Sequence, residues 1–372
     1  MARNTYRTVL PVVAALVYCV GCATVPLNDA RSNFNSGALD VAERDLASLP
    51  HNADRVLYLM ERGMIRHLRH DYTNSTRDWL EAVQIEKDLE THSVSKAGAS
   101  MIVNDSLLSF RGYPYERTYL HVYLAKNYLA RGLWEDAAVE ARGIIRRLQR
   151  LDGFPDDALS HYITGFCLEL CGDDSNATMQ YRETAKLAPN LGLDEKTGRF
   201  TASTGSGTNA SPPSPQNGAE LVCFIDFDGH GGMVPELAEI YVDGKLLGTT
   251  RTLSNLASLE SASRQRMEAR RAAKTLTRIA LKESVSLYAS SKNNDLGGLV
   301  WLLLFSMEKE DTRRWETLPS KMAVARVACP ETLTEFEVVF KSYSGAPVSR
   351  MTVKAPIVKK DRIFVSLCRD HP

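Results

Sequence analysis

Residues Ala158 to Leu191 read ALSHYITGFCLELCGDDSNATMQYRETAKLAPNL, and the placing of small and aromatic residues in this stretch decides the fold. Gly165 stands where one helix must approach its neighbour closely, and Gly172 marks a turn. Ala177 and Tyr181 share one face of a second helix, which Pro189 ends. The stretch therefore predicts two antiparallel helices joined by a short turn.

The same arrangement recurs along the chain. Thr118 to Leu151 carries Leu124, Ala125, Tyr128, Gly132 and Ala137 at corresponding places, and Val56 to Leu89 carries Leu59, Gly63, Asp71, Tyr72, Trp79 and Ala82. Ala23 to Leu49 is a weaker copy, with Gly37 and Ala42 in register. These spacings are those of the tetratricopeptide unit of roughly 34 residues, whose hairpins bury their apolar faces only by stacking on one another. Residues 23–191 are thus expected to form an α-solenoid of tetratricopeptide-like hairpins. Glu90 to Arg117 is inserted between two units and Asp152 to Asp157 between the next two. The first insertion holds Met101, Ile102, Val103, Leu107, Leu108, Phe110, Tyr113 and Tyr115, too apolar for an idle surface loop. It is expected to line the concave groove and help select a ligand.

From Gly192 to Gly218 the pattern gives way to Thr, Ser, Gly, Asn and Pro, the composition of a flexible linker. Residues 219–372 then read as a smaller α+β domain with a β-sheet or sandwich and one long helix. Strand candidates are Glu220 to Asp226, a hairpin over Ile240 to Gly248 turning at Asp243-Gly244, Lys321 to Val327, Phe336 to Phe340, and Arg362 to Leu367. The helix is expected between Ser254 and Ser290, with Ala269, Ala272, Ala273, Leu276, Ile279 and Ala280 on its apolar face.

The start of the chain is a targeting segment. Arg3 and Arg7 precede an almost unbroken apolar run from Val9 to Val20, followed by Gly21-Cys22-Ala23. A basic start, a short apolar run and a small-residue exit are the marks of a secretory signal. Gly21-Cys22 resembles a bacterial lipobox, although Cys19 stands where leucine is usual. Residues 1–22 then form a lipoprotein signal peptide, and Cys22 is the lipidation candidate, anchoring the mature chain in the outer membrane facing the periplasm. Cleavage after Ala23 is the rival reading.

Composition excludes some functions. The 45 basic and 45 acidic residues cancel, so no overall field recruits nucleic acid. Beyond Cys19 and Cys22, five cysteines at irregular spacing make neither a disulfide framework nor a zinc-ligand pattern. Any bridge is confined to Cys223, Cys329 and Cys368, and no metal or cofactor is expected.

Chemistry has one candidate. Asp226-Phe227-Asp228-Gly229-His230-Gly231-Gly232 follows a strand, and two carboxylates with an imidazole on glycine-rich backbone suit a hydrolase or a metal-dependent site built on Asp226, Asp228 and His230. The plainer reading is a polar turn. His121 and His161 occupy the fourth position of their units, on a packing face. Arg264, Arg271, Lys274, Arg278 and Lys282 fall on one side of the long helix, a candidate basic face for anionic lipid or another anionic envelope polymer.

Two separated segments resemble a signature. Val103-Asn104-Asp105, then Phe110-Arg111-Gly112-Tyr113-Pro114-Tyr115-Glu116-Arg117 and His121 to Leu129, together with Asp311-Thr312-Arg313-Arg314-Trp315-Glu316-Thr317-Leu318-Pro319, are similar to motifs of a poorly characterised family of bacterial tetratricopeptide-containing lipoproteins. Members of that family are often encoded beside lipoproteins resembling penicillin-binding-protein activators, which implies an envelope role; the resemblance carries no enzymatic activity with it. The expectation is a non-enzymatic, lipid-anchored scaffold that binds an envelope protein, with Phe110, Arg111, Tyr113, Tyr115, Glu116 and Arg117 as candidate partner-binding residues. Arg111, Glu116 and Arg117 are also placed to brace the insertion against the array.

Overall fold

The structure, a computed structural model, describes residues 25–48, 54–95, 110, 112–201, 218–228, 235–270, 313–354 and 356–370. An N-terminal helical part leads into a β-sheet region that contains a further helix. The helices are α1 (Val25–Asn35), α2 (Leu39–Asp45), α3 (Arg55–Leu68), α4 (Tyr72–Ser95), α5 (Pro114–Ala130), α6 (Trp134–Leu148), α7 (Ala158–Leu170) and α8 (Asp174–Leu187). They pair consecutively, α1 with α2, α3 with α4, α5 with α6 and α7 with α8.

Small residues explain how closely the pairs approach. A Cβ on Gly63 of α3 would fall inside the Trp79 indole of α4, and one on Gly165 of α7 would press on the Tyr181 ring of α8. Trp79 is fully buried and its indole N–H donates to Met60 O at 3.1 Å. The histidines repeat as well. His121 Nδ1 lies 2.6 Å from Glu140 Oε2 and His161 Nδ1 2.8 Å from Gln180 Oε1, nineteen residues on in both cases. Both rings are buried between helices, as their position on a packing face predicts.

Among the described residues nine strands follow: β1 (Ala219–Phe227), β2 (Leu237–Val242), β3 (Lys245–Thr249), β4 (Arg251–Asn255), β5 (Lys321–Cys329), β6 (Phe336–Lys341), β7 (Pro347–Val353), β8 (Ile357–Lys360) and β9 (Ile363–Asp370). They form two sheets, β4-β5-β1-β9-β8 and β3-β2-β6-β7. The β2–β3 hairpin turns at Asp243-Gly244, both at positive φ, as the Asp-Gly pair dictates. Helix α9 starts at residue 256 and is described to residue 270.

The five-stranded sheet is a middle layer, and β1 is buried along its whole length. Leu221, Cys223, Ile225 and Phe227 pack against Ile240, Val338 and Phe340 of the other sheet. Val222 and Phe224 point the opposite way and join the core of the helices, with Met322, Val324, Val365 and Leu367. Alternate faces of one strand therefore serve two cores. Burying each large apolar side chain contributes about 1.5–3 kcal/mol relative to exposure.

Two expectations need correction. The expected linker, residues 192–218, does not divide the core, because helices and sheet share one apolar cluster. Its first part is folded: Leu193 bridges Phe200, and the Phe200 ring stacks on Tyr162 at 5.5 Å. The expected insertion, Glu90 to Arg117, also begins as helix, since α4 runs on to Ser95. The signal segment with Cys22, residues 202–217, most of the insertion and residues 271–312 lie outside the described residues.

Candidate functional site at the helix–sheet junction

The first helix of each hairpin faces the sheet, and the contacts run from α1 to α7. Phe34 of α1 and Met64 of α3 both touch the Arg369 guanidinium of β9. Tyr123 and Lys126 of α5 reach Asp226 of β1, and Tyr162 and Phe166 of α7 pack on Phe224. Glu169 of α7 pairs with Arg326 of β5 through two hydrogen bonds of 2.9 and 2.6 Å. The first helices are thus covered by the chain's own sheet.

That coverage decides the fate of the Asp226-Asp228-His230 candidate. Lys126 Nζ donates to Asp226 Oδ1 at 2.7 Å, and the Tyr123 hydroxyl donates to Asp226 Oδ2 at 3.0 Å. The Lys126 and Asp226 side chains are only 2% and 4% exposed. Burial lowers the Lys126 pKa, and the Asp226 carboxylate opposes the shift. Asp228 is gripped by Arg369, whose Nε lies 2.9 and 2.8 Å from its two oxygens and whose Nη2 also donates to Thr317 O at 2.7 Å. The two carboxylates thus answer two different cations rather than converging on a substrate. Residues 229–234, including His230, lie outside the described residues. Among the described residues no group of acidic, histidine and cysteine side chains is arranged to hold a metal.

A polar cluster lies behind this pair. The Asn127 amide donates to Ser75 Oγ at 2.9 Å and Thr76 Oγ1 at 3.2 Å, which leaves its oxygen to accept from His67 Nδ1 at 2.6 Å. Burial holds His67 neutral, with its pKa lowered to about 3.

The two signature segments meet at one place, although some 200 residues of chain separate them. Glu116 is fully buried and caps the start of α5, its Oε2 accepting from the Tyr113 N–H at 2.6 Å. Its other oxygen accepts from the Trp315 N–H, also at 2.6 Å. Burial raises the Glu116 pKa to about 7 against these two amide donors. Arg313 stands over the Phe110 ring at 5.7 Å and pairs with Asp54 at 2.6 Å. Trp315 packs edge-on to Trp79 and against Tyr123. Gly112 takes a positive φ of 78°, needed to turn Phe110 inward and set Pro114 at the head of α5.

Most of the candidate partner-binding residues of that segment are engaged inside the fold. Phe110, Tyr115 and Glu116 are buried in the fold, Tyr113 is half-buried and stacked on Tyr115, and Arg117 pairs with Glu86 and Glu90 of α4. They brace α4, α5 and the 313–317 loop together. Arg111 lies outside the described residues. Of the candidate basic face, Arg264 is exposed and paired with Glu260 one turn earlier, whereas Arg271, Lys274, Arg278 and Lys282 lie outside the described residues. Arg266 and Arg270 of the same helix instead donate to Asp152 in the α6–α7 connection.

Sequence reasoning missed the cations Lys126, Arg326 and Arg369. The available signal was a charge inside an apolar stretch: Lys126 interrupts a helix that is buried almost all round, and Arg326 sits mid-strand among alanines and valines. The five described cysteines are free, with Cys223 and Cys368 sulfurs 3.3 Å apart between the sheets.

The chain matches no protein-family model and no curated protein.

Proposed function

We propose that this protein is a non-enzymatic, lipid-anchored scaffold of the bacterial envelope, a tetratricopeptide-like solenoid closed by its own C-terminal sheet. In this reading Cys22 carries the lipid and holds the chain in the outer membrane facing the periplasm. The repeated Gly63–Trp79 and Gly165–Tyr181 approaches support the repeat assignment. The observation that carries the adaptor reading is the distribution of apolar surface. With the first helices spent on the sheet, the second helices α4, α6 and α8 display Leu80, Val139, Met179 and Leu187 to solvent. Val139 and Met179 occupy the same position in successive units. Apolar side chains repeated on one outward face suit a long partner surface or helix. The hydrolase alternative loses support because its two aspartates are committed to Lys126 and Arg369.

The test combines fractionation and photocrosslinking in intact cells. Cys22→Ala should release the protein from the membrane fraction. A photoreactive residue at Val139 or at Met179 should give adducts with one and the same envelope protein, while one at buried Val222 should give none. Absence of adducts at both outward positions would refute the adaptor reading.

A further inference from the structure

The junction also encloses a cleft of about 190 Å³, lined by Arg31 and Asn35 of α1, Tyr115 at the start of α5, Glu260 of α9, and Arg314 and Glu316. At about 30 Å³ per water in the liquid, this is room for roughly six waters, or a solute of about six to ten non-hydrogen atoms. Its wall alternates in charge. Arg31 Nη1 lies 3.2 Å from Glu316 Oε1, Glu316 lies 3.6 Å from Arg314 Nε, and Arg314 Nη1 lies 2.5 Å from Glu260 Oε1. Arg31 is further fixed from behind, donating to Glu61 and to Arg314 O. Arg314 and Glu316 nevertheless keep 40% and 41% of their side chains exposed, so both retain capacity for a ligand.

Tyr115 is the second observation. It is only 4% exposed, its ring held by stacking on Tyr113 and by an edge contact with Tyr119. Yet its hydroxyl has no hydrogen-bond partner among the described residues, and the residue lines the cleft. The hydroxyl is not among the buried unsatisfied atoms, so it keeps access to solvent and is open to a partner from the cleft. Burial and the neighbouring Glu116 and Glu260 carboxylates keep it protonated, so it is available as a donor.

We propose that this cleft binds a small zwitterion of the free amino-acid class. The carboxylate is taken by the Arg314 guanidinium and the Tyr115 hydroxyl, and the ammonium by the Glu316 and Glu260 carboxylates. A simple anion would meet two carboxylates on the wall, and a simple cation two guanidiniums. A molecule carrying both charges a few ångströms apart satisfies the alternation. The site is independent of the adaptor reading, since none of its residues lies on the outward helix faces.

The experiment is calorimetric titration of the full-length protein with each common amino acid, L-alanine and L-glutamate included, and with acetate and methylammonium as half-ligands. At least one amino acid should bind saturably, and at least tenfold more tightly than either half. Arg314→Gln and Glu316→Gln should each weaken that binding about tenfold, and Tyr115→Phe about fivefold, with thermal midpoints close to the parent. Three results would each overturn the proposal: no saturable binding by any amino acid, acetate or methylammonium binding as tightly as the best amino acid, or affinity unchanged in both Arg314→Gln and Glu316→Gln. Because those two side chains are well exposed, folding of their variants does not depend on Tyr115.

Discussion

Replacing Lys126 with Met leaves Asp226 sealed between α5 and the sheet with the Tyr123 hydroxyl as its remaining described partner. The carboxylate is then buried without its cation, and truncating one member of a buried pair costs about 3–5 kcal/mol, so Lys126→Met should destabilise by about that much. The double variant Lys126→Met with Asp226→Leu removes both charges and should regain most of the loss. Urea unfolding at pH 7 followed by circular dichroism measures both. A single variant within about 1 kcal/mol of the parent at pH 7, or a double variant as unstable as the single, would refute the reasoning.

Three further outcomes follow from the same junction. His67 is held neutral with its pKa lowered to about 3, below the unfolded value near 6.5, so its contribution is intact above pH 6.5 and lost as pH falls toward 3. At pH 5 the loss is about 2 kcal/mol, and a pH–stability series on the parent and His67→Gln should show that slope only in the parent. Glu116 has the opposite sign: its pKa is raised to about 7, so stability is full below about pH 4.5 and declines as pH rises through 7. Relative to the parent, Glu116→Gln should gain about 3 kcal/mol between pH 4 and pH 8, and a flat difference would contradict the burial argument. Finally, a protease site inserted between residues 201 and 218 should yield, on cleavage, two fragments that co-elute in gel filtration, because helices and sheet share one core. Two separately folded pieces would restore the reading of independent domains.

The helical half was the most legible part of the sequence. Gly63, Gly165, Trp79 and Tyr181 announce close helix approaches through local spacing, and that information survives without knowledge of what packs on the outer faces. Strands β1, β2, β3, β5, β6 and β9 were legible for the same reason, being apolar runs or a hairpin with Asp-Gly at its tip. Strands β4, β7 and β8 were not. Ser349 and Arg350 carry no apolar alternation because an edge strand leaves much of its surface to solvent, and Ser254 of β4 is a polar side chain buried against Tyr119. The long-range electrostatics were hidden for a deeper reason. Nothing local tells that Lys126 meets Asp226, or that Glu116 meets Trp315, since each pairing joins elements about 100 or 200 residues apart. The segment 110–117 looked like a binding surface because it is aromatic and polar together. A brace between three elements has the same composition.

One feature of the middle sheet bears on how the chain is made. Strand β1 lies between β5 and β9, and its pairing with β9 is parallel, joining Glu220 to Ile363 and Phe227 to Asp370. The layer that covers the helices therefore cannot close until residue 370 has been delivered, after everything it must cover. Until then Phe166, Tyr162 and Met64 remain an open apolar wall. Non-local parallel pairing of this kind is slow, and exposed intermediates are prone to aggregate. If the chain is threaded across a membrane from its N-terminus, it arrives as an uncovered helical array. Its escape from aggregation then depends on how fast the final strand follows, or on a holdase that occupies the first-helix face in the interval.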